Sequence, residues 1–153
     1  MSEFQTVLAA VLPVFTIAGL GFLIRRLNWL TAEADASLLR VLINLLVPCF
    51  FLDSILGNAA LRQPANILLP PLVGFGTVAL GTWLSFLARK LTGLGQPAER
   101  RTFAFLTGAY NYGYVPLPLA LSLFDRETAG VLIVHNLGVE IALWTIGLTM
   151  LGG

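Results

Sequence analysis

The sequence predicts an all-α integral membrane protein with five transmembrane helices, of which the fourth is discontinuous. The chain of 153 residues is 57% hydrophobic and only 11% charged, whereas soluble domains average about 45–50% apolar and about 25% charged residues. Five apolar segments each approach the roughly 20 residues that a helix needs to cross a bilayer. Short loops between these segments hold most of the charge. A lipid bilayer is therefore the expected surroundings of the chain.

The five segments define the expected elements of one domain over residues 1–153. No basic residue precedes the first segment, and no small-residue cleavage site accompanies it, so we expect a transmembrane helix there and not a signal peptide. The helices are placed at about residues 4–24, 38–56, 67–87, 102–124 (broken near 110–117) and 129–151.

Prolines interrupt each of the first four segments, with different expected consequences. Pro13 in the first segment and the pair Pro70 and Pro71 near the start of the third are expected to cause mild distortions that packing absorbs. Pro48 lies in the middle of the second segment and cannot donate to the carbonyl of Asn44. A substrate-binding role for Asn44 supported by Pro48 and a plain kink both fit this pattern. Thr31 is expected to cap the start of the second helix.

The fourth segment contains the stretch LTGAYNYGYVPLPL at residues 106–119. Pro116 and Pro118 lack backbone donors and leave the carbonyls of Tyr112 and Tyr114 without helical partners. Breaks of this kind persist in a membrane only where protein or a cavity meets the freed groups. The stretch therefore predicts two half-helices joined by an unwound crossing, the alternative being a proline kink that neighbouring helices satisfy.

Each half-helix, at about residues 102–109 and 117–124, would be too short to cross the bilayer alone. Gly113 allows a positive φ at the break, and Asn111 supplies an amide at the same depth. Discontinuous helices build substrate and ion sites in secondary transporters, where helix ends and free backbone amides meet the ligand. From this segment we expect four residues at the substrate: Asn111, Tyr112, Gly113 and Pro116.

The fifth segment contains a histidine, an asparagine and a glutamate at membrane depth: His135, Asn136 and Glu140. Ionisable groups are costly at membrane depth and usually face a cavity or a partner. Asn136 and Glu140 are four residues apart and share a helix face. Glu140 is a candidate for proton coupling or, equally, a neutral acid bonded to another helix, with Asn136 in a supporting role. His135 is expected to be a packing residue.

The distribution of Lys and Arg predicts the orientation of the chain. Seven of the nine basic residues lie in or near the first and third loops, and only Arg62 and Arg126 lie on the opposite side. Cytoplasmic loops carry the excess of Lys and Arg. We therefore expect an N-terminus outside, a C-terminus in the cytoplasm and a multi-pass protein of a bacterial-type inner membrane.

Several function classes are disfavoured by composition. A net charge of +1 without a basic stripe makes nucleic acid an unexpected partner. One histidine, the single cysteine Cys49 and the absence of an H-E-x-x-H motif predict no metal, and no cofactor motif is present. No Ser or Cys has a recognisable base partner, so we do not expect an enzyme.

Three stretches resemble the N-terminal half of the auxin efflux carrier family of membrane transporters. They are LNWLTAEADASLLRVLINLLVPCFF at 27–51, NYGYVPLPLALSLF at 111–124 and HNLGVEIALWTIG at 135–147. The second is similar to the asparagine-glycine-proline crossover of the family and is the most specific of the three.

The resemblance implies a ten-helix fold of two inverted five-helix repeats, of which this chain is equivalent to one. It implies small organic anions such as auxin or dicarboxylates as substrates, bound where the broken helices cross. Asn111 matches the crossover asparagine that faces the substrate and Pro116 the crossover proline, whereas Asn44 and Pro48 match the second-helix motif. The second repeat is absent from this sequence, so a homodimer or a separate second repeat would complete the fold, in an orientation that the sequence leaves open.

The leading hypothesis is therefore a secondary transporter repeat for a small organic anion, with Asn111 and backbone amides at the start of the second half-helix meeting the carboxylate. A half-transporter fragment that needs a second repeat is one alternative. A non-transporting interaction module that packs through Gly19 and Gly21, or through the glycines of the third segment, is another. Its distinguishing feature would be a fully packed crossover without a cavity around Asn111. A channel is least favoured, since no ring-forming motif is present.

Overall fold

The computed structural model of the chain describes residues 3–152, so residues 1, 2 and 153 of the predicted domain lie outside the described part. Within it every regular element is helical, which confirms the all-α prediction. The helices are α1 Glu3–Arg26, α2 Ala32–Ile55, α3 Pro64–Ala88, α4 Pro97–Gly108, α5 Pro116–Leu123 and α6 Arg126–Gly152. Short 3₁₀ turns at Ala60–Arg62 and Arg89–Leu91 flank α3.

Four helices of the described residues are long and apolar enough to cross a membrane: α1, α2, α3 with the turn that follows it, and α6. They correspond to the first, second, third and fifth predicted segments. The fourth segment comprises α4 and α5, of 12 and 8 residues. At 1.5 Å per residue these are about 18 and about 12 Å long, short of the ~30 Å hydrocarbon core.

Side-chain caps fix where two of the long helices begin. Thr31 accepts a hydrogen bond from the Ala34 N–H at 3.3 Å, which confirms the predicted cap and starts α2 at Ala32. Asp125 caps α6 by accepting from the Thr128 N–H at 2.7 Å. This bond stabilises the carboxylate and holds the pKa of Asp125 below its ordinary range.

Helices α3, α4 and α6 pack against one another at backbone distance. A Cβ on Gly138 of α6 would lie 1.8 Å from the carbonyl oxygen of Pro71 in α3, and a Cβ on Gly74 would lie 2.3 Å from that of His135. A Cβ on Gly81 of α3 would similarly lie 2.8 Å from the carbonyl oxygen of Gly108, the last residue of α4. These contacts leave no room for larger side chains, so glycine is what permits the three helices to meet.

Helices α1 and α2 lie at the periphery. α1 packs on α5 and buries only Ala10 among its described residues, and no residue of α2 is buried. An ion pair between Arg25 and Asp35, at 2.6 Å, joins the end of α1 to the start of α2. Arg126 of α6 pairs with Asp53 near the end of α2. Both helices therefore present long apolar faces outward.

Two π-helical turns widen the long helices, at Leu42–Leu46 in α2 and Leu143–Gly147 in α6. In α2 the Val47 N–H bonds to the carbonyl of Leu42, five residues earlier, directly before Pro48. The turn contains Asn44, whose carbonyl receives no hydrogen bond from Pro48 because proline has no N–H. The helix thus continues through Pro48 by local widening, one of the recognised ways in which a helix accommodates an interrupted hydrogen-bond ladder.

Candidate functional site

Residues 109–115 link α4 to α5 without helical structure, and we call them the α4–α5 break. Pro116 occupies the first position of α5, where a missing N–H costs no helical hydrogen bond. The prolines therefore begin a helix here instead of distorting one. Among the described glycines only Gly57 and Gly93 have a positive φ. Gly113 therefore does not use the positive φ that glycine allows, and its carbonyl accepts from the Leu117 N–H at 3.1 Å at the start of α5.

The break is fastened to α3 and α6 through its tyrosines. The Asn136 side-chain amide of α6 donates to the backbone carbonyl of Tyr112 at 2.9 Å, and Asn136 is only 3% exposed. Pro116, four residues after Tyr112, has no N–H to donate to this carbonyl, so Asn136 supplies the donor that a helix would have supplied. The hydroxyl of Tyr110 lies 3.0 Å from that of Thr77 in α3. The break is therefore held from two sides by specific polar contacts.

Glu140 of α6 makes the second contact with Tyr112. The Tyr112 hydroxyl donates to Glu140 Oε1, and the Trp144 indole N–H donates to Glu140 Oε2 at 3.0 Å. Asn136 and Glu140 both reach the break from the face of α6 that their spacing predicts. The bond with Tyr112 joins residues 28 positions apart and has no local sequence signal. Trp144 was not predicted, although its separation of four residues from Glu140 is the spacing of a helical pair.

The backbone of the break has more unpaired donors than unpaired acceptors. Its carbonyls at Tyr112, Gly113 and Val115 accept hydrogen bonds from Asn136, Leu117 and Leu119. Within residues 3–152, by contrast, the N–H groups of residues 110–115 have no acceptor. Buried or membrane-embedded N–H groups require partners. The carbonyls of residues 109–111 and 114 likewise have no donor there, so six N–H groups and four carbonyls of the break are without a partner within the described residues.

A cavity of about 640 Å³ lies between α2, the break, α5 and α6. This volume is in the range of small-molecule sites. Apolar and aromatic side chains form most of its wall, with the exposed amide of Asn111 and the carboxylate of Glu140 as polar groups. No lysine, arginine or histidine is among its lining residues in the described chain. The lining residues are Leu42, Val47, Phe50, Phe51, Tyr110, Asn111, Tyr112, Gly113, Tyr114, Leu117, Pro118, Leu121 and Glu140.

The structure brings some of the predicted site residues together and leaves others apart. Asn111, Tyr112, Gly113 and Glu140 line the cavity, and Asn136 supports it from behind Tyr112. Pro116, Pro48 and Asn44 are outside its lining.

The side chain of Asn44 is exposed and donates to the carbonyl of Arg40 in its own helix at 2.8 Å. His135 is half-buried beside Asn136, at 3.2 Å from its amide oxygen. Sequence reasoning missed the aromatic wall from α2, because Phe50 and Phe51 show no pattern that distinguishes a cavity from a lipid-facing surface.

A family model described as membrane transport protein matches residues 6–153, nearly the whole chain. The chain belongs to this family, that of the auxin efflux carriers. No curated protein and no solved structure matches the chain.

Membership confirms the resemblance carried by the three sequence stretches. This member of the auxin efflux carrier family is a multi-pass membrane protein with a transport-type function, and the family is not one of enzymes. The α4–α5 break and its cavity are therefore the features in which to look for a transport substrate.

Proposed function

We propose that the chain forms one five-helix repeat of a secondary transporter and that α4, the break and α5 together make its fourth, discontinuous membrane crossing. In this proposal a small organic anion binds in the cavity beside the break. The observation that carries it is the surplus of backbone N–H groups at residues 110–115, next to the free amide of Asn111. Carboxylates are acceptor-only ligands and suit such a surface.

The donors differ from those that the half-helix pattern predicted. Pro116 and Pro118 have no N–H, and the N–H groups of Leu117 and Leu119 bond to the carbonyls of Gly113 and Val115. The start of α5 therefore has few free amides to offer. In the proposed site the anion is met by the break itself and by Asn111, and the helix end contributes its dipole.

The cavity wall indicates which part of the substrate lies where. Phe50, Phe51 and Leu121 line the same cavity as the break and offer apolar surface to a ligand. A ligand with an apolar body and one carboxylate would bury its body against this wall and its charge against the N–H groups. We use phenylacetate as the probe of this class and succinate as the dicarboxylate for comparison.

The cavity also favours transport over the non-transporting interaction module. That alternative called for a packed crossover, yet Asn111 borders a cavity of about 640 Å³. Of the glycines it would use, Gly74 and Gly81 already contact α6 and α4. Gly19 and Gly21 have no neighbour within 4 Å and could still meet another helix.

Replacement of Asn111 tests the proposed site. In lipid nanodiscs, Asn111→Ala should abolish saturable phenylacetate binding without lowering the thermal stability, because the side chain makes no hydrogen bond within residues 3–152. Thr107→Ala is the matched control, since Thr107 bonds to Phe103 in α4 and lies outside the cavity. Unchanged affinity in Asn111→Ala would contradict the proposal.

A further inference from the structure

Glu140 is the one carboxylate among the residues that line the cavity. An organic anion in the same cavity would repel an ionised Glu140, and apolar walls would screen the repulsion poorly. No lining lysine, arginine or histidine offsets it in the described chain. The two negative charges can share the cavity at low cost only if one of them is neutralised.

We propose that Glu140 takes up a proton when the anion binds, and that this proton reverses the hydrogen bond between Glu140 and Tyr112. The inference rests on the proposed function and assigns to the same site a linkage between anion and proton. Its basis is the arrangement of Tyr112, Glu140 and Trp144, in which each oxygen of the carboxylate has a different donor.

The two donors determine which oxygen receives the proton. Oε2 accepts from the Trp144 indole N–H at 3.0 Å, and an indole N–H can only donate. Oε1 accepts from the Tyr112 hydroxyl, which can also act as an acceptor. A proton taken from water therefore binds to Oε1, and the new O–H donates to the Tyr112 oxygen.

Reversal of this bond changes what the cavity offers to an anion. Tyr112 keeps its own hydroxyl hydrogen, which no longer points to Glu140 and can donate to an acceptor in the cavity that Tyr112 lines. Protonation of Oε1 thus removes a negative charge and releases a donor in one step. Binding of the proton and of the anion then favour each other reciprocally.

Few other titratable groups surround Glu140. The break contributes Tyr110 and Tyr114, and tyrosines are ordinarily neutral below about pH 9. Helices α3 and α5 contain no Asp, Glu, Lys, Arg or His between their first and last residues, and α2 faces the cavity with apolar side chains. On α6, His135 contacts Asn136, and histidines in general titrate near neutral pH. His135 is therefore the group for which an experiment must control.

The test measures phenylacetate binding to the purified full chain in nanodiscs of uncharged lipid, between about pH 6 and about pH 9, where the probe stays ionised. Wild-type Kd should rise with pH by up to about tenfold per pH unit, as expected when one proton binds together with the anion. Glu140→Gln keeps an acceptor for Trp144 and a donor for Tyr112, so its Kd should stay flat at the low-pH wild-type value. Phenylacetamide, the neutral isostere, should depend less on pH than phenylacetate because it carries no charge for Glu140 to repel, and its binding reports correct folding.

Two further variants separate this linkage from other causes. Tyr112→Phe keeps the ring that packs against the buried cluster of Val78, Val139 and Ala142, and this variant should lose the tight binding at low pH. His135→Gln should keep the wild-type pH dependence. Equal pH profiles in wild type and Glu140→Gln, or loss of the dependence in His135→Gln, would overturn the linkage and leave the anion site standing. Absence of phenylacetate and succinate binding in every variant at every pH would overturn the proposed function itself.

Discussion

Asn136 is the buried side chain that holds the irregular backbone of the break in place. It donates to the Tyr112 carbonyl at 2.9 Å from the inner face of α6. The sequence indicated its importance, because a polar residue inside an apolar segment needs a partner. It could not indicate which partner, since residues 112 and 136 are 24 positions apart in sequence and meet only in the packed structure.

Replacement of Asn136 by alanine should therefore destabilise the fold. Asn136→Ala leaves the part-buried Tyr112 carbonyl without its donor, and the loss of such a partner typically costs about 1–3 kcal/mol. The measurement is the free energy of unfolding in detergent, followed by tryptophan fluorescence. Asn44→Ala, which removes an exposed asparagine bonded to its own helix, should change it by less than about 0.5 kcal/mol. Equal losses in the two variants would contradict the role given to Asn136.

At the scale of elements, the break could be located from local chemistry but its binding properties could not. Two prolines and a glycine in an apolar segment mark the position, because proline cannot extend a helical ladder. The pairing of Leu117 and Leu119 with Gly113 and Val115 depends on the turn geometry of residues 113–119. Because of these two bonds, the free N–H groups lie in the break and not at the start of α5, where the sequence predicted them.

Contact between α3 and α6 depends on glycine at one position of each helix face. Gly138→Ala would place a Cβ 1.8 Å from the Pro71 carbonyl oxygen, and the helices would have to separate. We expect a loss of about 1–3 kcal/mol in unfolding free energy, as for other overpacked sites. Gly76→Ala, on α3 with no neighbour within 4 Å, should not destabilise and should gain slightly from helix propensity. A Gly138→Ala variant as stable as Gly76→Ala would show that the close contact is not needed.

For the whole molecule, α1 and α2 bury almost nothing within the described chain. The sequence predicted both helices from their length and apolar composition. It could not predict what covers them, because a lipid-facing helix and a helix that meets a second repeat have the same hydrophobic composition. We propose that a second five-helix unit, from another copy or another chain, packs on these faces.

Orientation in the membrane distinguishes the ways in which such a unit can be supplied. In a Cys49→Ala background, a cysteine at Gly95 should react only from the cytoplasmic side and one at Ala59 only from outside, because seven of nine basic residues lie on one side. Both positions are exposed in loops. Labelling of each site from both sides would contradict the single orientation and favour an antiparallel homodimer.

The central claim is that an organic anion binds beside Asn111 in the break. The most direct test is the reaction of Leu121→Cys, on the apolar wall of the same cavity, with a small sulfonated thiol reagent in the presence and absence of phenylacetate, in the Cys49→Ala background with Asn111 intact. Leu106→Cys on the outward, 65% exposed face of α4 is the lipid-facing control. We expect phenylacetate to slow the reaction at position 121 in a saturable way, to leave the reaction at 106 unchanged, and to lose its effect at 121 when Asn111→Ala is added. A rate at 121 that phenylacetate leaves unchanged, or one that it slows equally in the Asn111→Ala variant, would contradict this claim.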